Sequence, residues 1–191
     1  PGDAVIVLGG PAMLIGLGGG SASSTKKTND NADLDFASVQ RSNPEMQRRA
    51  QQVLDKFNER SSKNPITFIH DVGAGGISNA IPELAKDTNL GVEINLENID
   101  SADQTMSPME LWCNESQERY VFTIPMKKLR ALEDICRKER CPFSIAGYLT
   151  EDKIIKIKFH EDEIVNLHLD DLFGEIPLPD LIAQNYDRST A

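Results

Sequence analysis

The side chains best suited to chemistry fall into two stretches. The first is Phe68-Ile69-His70-Asp71-Val72-Gly73-Ala74-Gly75-Gly76-Ile77-Ser78-Asn79-Ala80. An imidazole and a carboxylate stand where an apolar run ends, and Gly73, Gly75 and Gly76 follow at once. Ile77, Ala80, Ile81, Leu84 and Ala85 then recur at helical spacing, so the order predicts strand, glycine turn, helix. Ligands gather at strand ends in α/β folds. Glycines let backbone approach a ligand, and a helix N-terminus favours anions. The same residues would also make a plain turn with a cap and a core histidine. The glycine spacing does not fit G-x-G-x-x-G, and no Walker lysine follows.

The second stretch is Asn114-Glu115-Ser116-Gln117-Glu118-Arg119, six polar residues abutting the apolar run that starts at Tyr120. A carboxylate, a hydroxyl and an amide in a row suit a polyhydroxylated ligand, and equally a solvated loop. Gly18-Gly19-Gly20 offers either a nest of backbone N–H groups for phosphate or a turn. Gln40 lies just before a helix start, where its amide can serve a ligand or a neighbouring backbone.

The elements that must position these groups are legible in outline. Ala4 to Leu8 is a continuous apolar run, which predicts a strand covered on both faces. Residues 21–31 are polar and predict a mobile loop. Asp33 to Gln40 alternates and predicts an extended segment. Ser42-Asn43-Pro44-Glu45 opens a helix to about Asn58. The helix after Gly76 should end near Asn89, before a half-buried strand from Gly91 to Leu96. Ser107-Pro108-Met109-Glu110 is a capping-box pattern for a short helix pinned by Leu111 and Trp112. A strand follows to Pro125, then an amphipathic helix from Lys127 to Arg140. A strand from Phe143 to Tyr148 and a hairpin of Ile154–Phe159 with Glu163–Leu169 complete the set. Phe173 to Ala191 reads as an exit linker.

Composition narrows the function classes. The chain has 191 residues, 39% of them apolar, and a formal charge of −10. One core is expected, and the charge argues against nucleic acid and anionic membrane surfaces. No apolar run approaches the roughly 20 residues that span a bilayer. Cys113, Cys136 and Cys141 form no C-x-x-C pair, which argues against zinc and for a reducing cytoplasm. The first residues, Pro1-Gly2-Asp3, read as the interior of a longer protein.

Five stretches taken together resemble one family. They are Gly9-Gly10-Pro11 with Gly18-Gly19-Gly20; Asp33-Leu34-Asp35-Phe36-Ala37-Ser38-Val39-Gln40; Asn43-Pro44-Glu45-Met46; His70 through Ala80; and Met106 through Tyr120. The family is the large, glutamine-dependent form of phosphoribosylformylglycinamidine synthase, and the likeness runs to about Pro177. The resemblance implies the C-terminal domain of the first of two aminoimidazole-ribonucleotide-synthetase-like halves. The implied fold is α+β: a mixed sheet covered by helices with a partial ferredoxin-like topology, over residues 1–176, with residues 177–191 as a tail.

The implied activity is a carbon–nitrogen ligation. ATP phosphorylates the amide oxygen of formylglycinamide ribonucleotide, and ammonia from a glutaminase domain displaces phosphate. By resemblance, Gln40, Glu115, Ser116 and Gln117 bind substrate and Asp71 ligates Mg²⁺ at the nucleotide phosphates. Gly18, Gly19, Gly20, Gly73, Gly75 and Gly76 would approach phosphate or substrate by backbone. His70 is expected to be structural, because side chains alternate along a strand. The family's catalytic histidine, nucleotide-binding N-terminal-type domains and glutaminase machinery have no counterpart here. No catalytic residue is therefore assigned, and the isolated piece is expected to be inactive. Two other readings remain: a pseudo-symmetric half holding a structural nucleotide, and a related ATP-dependent kinase of the same superfamily.

Overall fold

Strand β1 (Ala4–Gly9) is buried along its whole length, because helices cover both faces of the sheet at its centre. The computed structural model describes residues 1–17, 43–59 and 64–174. Gln40, Gly18, Gly19, Gly20, the segments 21–31 and 33–40, and the 177–191 tail lie outside them. The remaining elements are α1 (Pro44–Glu59), β2 (Phe68–Asp71), α2 (Ile77–Thr88), β3 (Gly91–Asn95), α3 (Pro108–Cys113), β4 (Arg119–Ile124), α4 (Leu129–Glu139), β5 (Phe143–Thr150), β6 (Ile154–Phe159), β7 (Asp162–His168) and α5 (Leu169–Leu172).

The seven strands form one mixed sheet in the order β2-β4-β1-β5-β3-β6-β7. Only the β3–β6 pairing is parallel among them. Alternation along β1 divides the core. Ala4, Ile6 and Leu8 face α1 and α4, meeting Ala50, Val53, Phe57, Leu132 and Ile135. Val5 and Val7 face α2, meeting Ile77, Ala80, Ile81 and Leu84. Each such fully buried aliphatic side chain contributes about 1.5–3 kcal/mol. Helices therefore cover both faces, as expected for a mixed α+β sheet.

Local chemistry explains the helix starts. Asn43 Oδ1 accepts from Met46 N (3.1 Å), capping α1 one residue before its proline. Ser107 and Glu110 form a complete capping box at α3, and Leu111 is buried beneath it.

Three boundaries differ from the sequence reading. Leu169–Leu172 forms a short helix, and Phe173 packs on the core with the Lys86 ammonium 4.7 Å from its ring, so Phe173 belongs to the packed domain. Helix α4 begins at Leu129, because Met126–Lys128 forms a separate 3-10 turn. Strand β5 continues to Thr150, because its last residues pair with β3. Among the described residues no helix is long and apolar enough to cross a membrane.

Candidate functional site

The polar run after α3 is not solvated. Asn114 and Ser116 are fully buried and Glu115 is 6% exposed. Buried polar groups need partners, and three parts of the chain supply them. Segment 13–15 grips one side: Met13 N donates to Ser116 Oγ (2.9 Å), and Glu115 N donates to the Ile15 carbonyl (2.8 Å). Helix α3 grips another, its Glu110 and Leu111 carbonyls accepting from Asn114 Nδ2 at 2.8 and 2.9 Å. The glycine turn closes the third, where Gly75 N donates to Glu115 Oε1 at 2.7 Å. That last bond joins the two chemistry-bearing stretches, 40 residues apart, into one place.

Two glycines make the closeness possible. Gly76 has φ +64°, and a Cβ there would lie 2.1 Å from the Asn114 carbonyl oxygen. Gly16 has φ +69°, and a Cβ there would lie 2.4 Å from Glu115 Cβ. Both need the left-handed backbone and the missing side chain together.

Arg119 opens β4 directly behind the loop. It is 1% exposed. Its Nε donates to the Ser116 carbonyl (3.1 Å), and its Nη2 donates to Asn114 O and Oδ1 (2.9 and 2.8 Å). Nη1 is buried without a partner. No carboxylate pairs with it among the described residues, and burial pushes the guanidinium down to about 10, still charged at neutral pH. Ser116 Oγ donates to Asn114 Oδ1 at 2.7 Å, so Asn114, Ser116 and Arg119 form one network.

Gln117 is half-buried, and its Nε2 donates to the Glu115 carbonyl at 3.0 Å. Glu118 stands at φ +57°, and its Oε1 accepts from Asn43 N (3.0 Å) at the start of α1. Asp71 ends β2 opposite Tyr120, and Val72 N then donates to the Arg119 carbonyl (2.9 Å). The Asp71 side chain is exposed and carries no hydrogen bond or ion pair among the described residues. A Cβ added at Gly73 would lie 3.9 Å from its Oδ2. His70 instead turns to α2, with Nδ1 3.8 Å from Glu83 and Nε2 3.8 Å from Asp87. Its ring centroid lies 4.9 Å from that of Phe68, the two planes tilted by 53°.

The structure thus brings together Glu115, Ser116, Gln117, Gly75 and Gly76, with Asp71 and Gly73 on the adjoining strand end. A separate cavity of about 750 Å³, lined by Glu97, Asp100, Asp103, Phe143 and His160 among others, contains none of them. That cavity has carboxylates and amides of its own, Glu97, Asp100, Asp103, Asn98 and Gln104; we assign the candidate site to the joined motifs, because there a glycine turn and a buried polar loop are bonded to each other. The sequence placed Asn114 and Arg119 in the polar stretch without giving either a role, and Gly16 went unremarked. The lone Gly16 between Ile15 and Leu17 was the available signal, since such a glycine marks close approach.

A single carboxylate with free oxygens suits Mg²⁺, which takes few protein ligands and leaves the rest to phosphate and water. Among the described residues no group of three His, Cys, Asp or Glu could hold a metal by itself. The exposed Asp71 carboxylate, unbonded among the described residues, would supply at most one such ligand.

Comparison with known proteins identifies the family and the fold. The family model described as "AIR synthase related protein, C-terminal domain" matches residues 1–160. The phosphoribosylformylglycinamidine synthase of Saccharomyces cerevisiae is 50% identical over 179 residues, covering 93% of this chain and 13% of that protein. The chain thus spans about an eighth of that relative's length. Among solved structures, Thermotoga maritima PurL complexed with FGAR superposes with TM-score 0.80 at 22% identity, over 100% of this chain and 31% of that one. The same protein complexed with ATP gives 0.75 at 20% identity, over 98% and 28%. A thiamine-monophosphate kinase from Stenotrophomonas maltophilia gives 0.55 at 10% identity, over 82% and 50%.

Proposed function

The chain belongs to the AIR synthase related protein C-terminal domain family, and from that premise we propose that it is a domain of a phosphoribosylformylglycinamidine synthase. In this reading the intact enzyme converts the amide of formylglycinamide ribonucleotide to an amidine. ATP phosphorylates the amide oxygen, and ammonia from the glutaminase domain displaces phosphate. This chain contributes binding and positioning, while the catalytic histidine and the main nucleotide pocket belong to other domains. The work takes place in the cytoplasm, with which three free cysteines are consistent.

The observation that carries the reading is the 2.7 Å bond from Gly75 N to Glu115 Oε1. It makes one wall from a turn suited to phosphate and a loop suited to a ribonucleotide. Gln117 presents its amide from that wall. Ser116, whose hydroxyl is already engaged by Met13 and Asn114, acts through the loop backbone. Gln40 lies three residues before Asn43 in sequence, and Asn43 is bonded to Glu118 of the same loop. Gly73, Gly75 and Gly76 shape the turn on the phosphate side, the N–H groups of Gly75 and Gly76 being engaged by Glu115 Oε1 and the Gly73 carbonyl; Gly18, Gly19 and Gly20, outside the described residues, are assigned to phosphate by the family resemblance alone. Asp71 would hold Mg²⁺, which when bound offsets charge on the transferring phosphoryl group.

Support comes from relatives. PurL of Thermotoga maritima has been captured with FGAR, ATP, ADP and AMPPCP. The test is Gln117→Ala in the intact enzyme. Substrate KM should rise about tenfold or more, the effect of leaving one buried polar contact unmade. Unchanged kinetics would assign this half a structural nucleotide instead. Asp71→Asn should raise the Mg²⁺ concentration needed for turnover without changing the fold, because the carboxylate has no partner to lose among the described residues.

A further inference from the structure

We propose that Arg119 is the positioning residue of the substrate-binding loop, holding Glu115 and Gln117 in place through the backbone on either side of Glu115. The proposal rests on the reading that this loop binds the ribonucleotide substrate. Arg119 reaches the carbonyls of Asn114 and Ser116, the two residues that flank Glu115, from a single planar group. Its third bond, to Asn114 Oδ1, fixes an amide whose other end is held by α3. The same Oδ1 also accepts from Ser116 Oγ. A guanidinium supplies these bonds in one rigid fork, which an ammonium cannot copy.

An arginine kept here only for packing would be costly. A buried charge needs pairing, and Arg119 has no carboxylate partner among the described residues. A neutral side chain of similar volume would fill the space without that penalty. The charge-assisted bonds to the loop backbone are what distinguish arginine from such a residue. Arg119 is also tied to the strand end that carries Asp71, because its own carbonyl accepts from Val72 N. Loop and strand end therefore share one anchor.

The experiment is a double-mutant cycle in the full-length enzyme, using Arg119→Lys, Gln117→Ala and the pair, with formylglycinamide ribonucleotide as the varied substrate. Arg119→Lys should raise KM about tenfold while kcat falls by less than about threefold. The double variant should be little worse than either single one, because both act through one loop. Multiplicative effects in the double variant would overturn the proposal, as would equal losses in KM and kcat with a lowered melting temperature. If Arg119→Lys does not fold, Asn114→Ala removes the shared acceptor without touching the guanidinium. It should raise KM in the same way, and a folded Asn114→Ala enzyme with unchanged KM would overturn the proposal. If Gln117→Ala alone changes nothing, the reading of the loop fails. If Gln117→Ala raises KM but the effects multiply, only the role of Arg119 fails.

Discussion

Gly16→Ala isolates the placement of Glu115 from every other effect. The added Cβ would lie 2.4 Å from Glu115 Cβ, 2.7 Å from its Oε2 and 2.9 Å from its Cγ. The glutamate cannot simply swing away, because it is buried and its Oε1 accepts from Gly75 N. Its displacement breaks a hydrogen bond to a charged group, which is worth about 1.5–3 kcal/mol, or roughly ten- to hundredfold in affinity. Backbone strain adds about 1–2 kcal/mol for a non-glycine at positive φ. Gly2→Ala provides the control, since Gly2 has φ +79° with nothing within 4 Å of the added Cβ. It carries comparable strain and no collision. Calorimetric titration of formylglycinamide ribonucleotide into the intact enzyme should show near-normal affinity for Gly2→Ala. Gly16→Ala should be weaker by tenfold or more. Equal affinities in the two variants would refute the claim that the 13–16 segment sets the glutamate.

Three further outcomes follow from local chemistry. Ser107→Ala removes the hydroxyl half of the α3 capping box, worth about 1 kcal/mol, so amides of residues 108–113 should exchange with deuterium about fivefold faster. Thiol reagents at neutral pH should modify Cys113 first. It is partly exposed, whereas burial holds the Cys136 thiol up at about 12 and the Cys141 thiol up at about 11, leaving both protonated. Hydrogen bonds from Lys156 and Thr150 hold the Asp152 carboxyl down at about 2. A depressed folded value contributes stability above the ordinary carboxylate pKa, about 4, and loses it as pH falls toward 2. Asp152→Asn should therefore lower the melting temperature slightly at pH 7 and not at all near pH 2, the effect being small because the pair lies at the surface, partly exposed to solvent.

The legible parts of the fold were those where one local rule decides the outcome. The apolar run of β1, the Asn43–Pro44 start of α1 and the Ser107–Glu110 box each carry their own signal, and each formed as read. The four-residue helix Leu169–Leu172 is too short to show a period, so nothing local announced it. The strand order was also hidden, because β1 pairs with β4 and β5, both distant in sequence. At the site, residue types and the family resemblance pointed to Glu115, Ser116 and Gln117. Their burial was not legible, because six polar residues in a row imply solvent unless their partners are known. Those partners are Met13, Ile15 and Gly75, which lie up to 103 residues away. The role of Arg119 was missed for the same reason: only the folded chain shows that it bonds backward onto its own loop.

The most direct measurement is a structure of the intact enzyme with formylglycinamide ribonucleotide, a non-hydrolysable ATP analogue and Mg²⁺. Substrate density should lie against Gln117 and the Glu115 carboxylate, with a metal ion on Asp71 and the Gly75–Glu115 bond retained. Substrate bound elsewhere, with the 114–118 loop touching only protein, would contradict it.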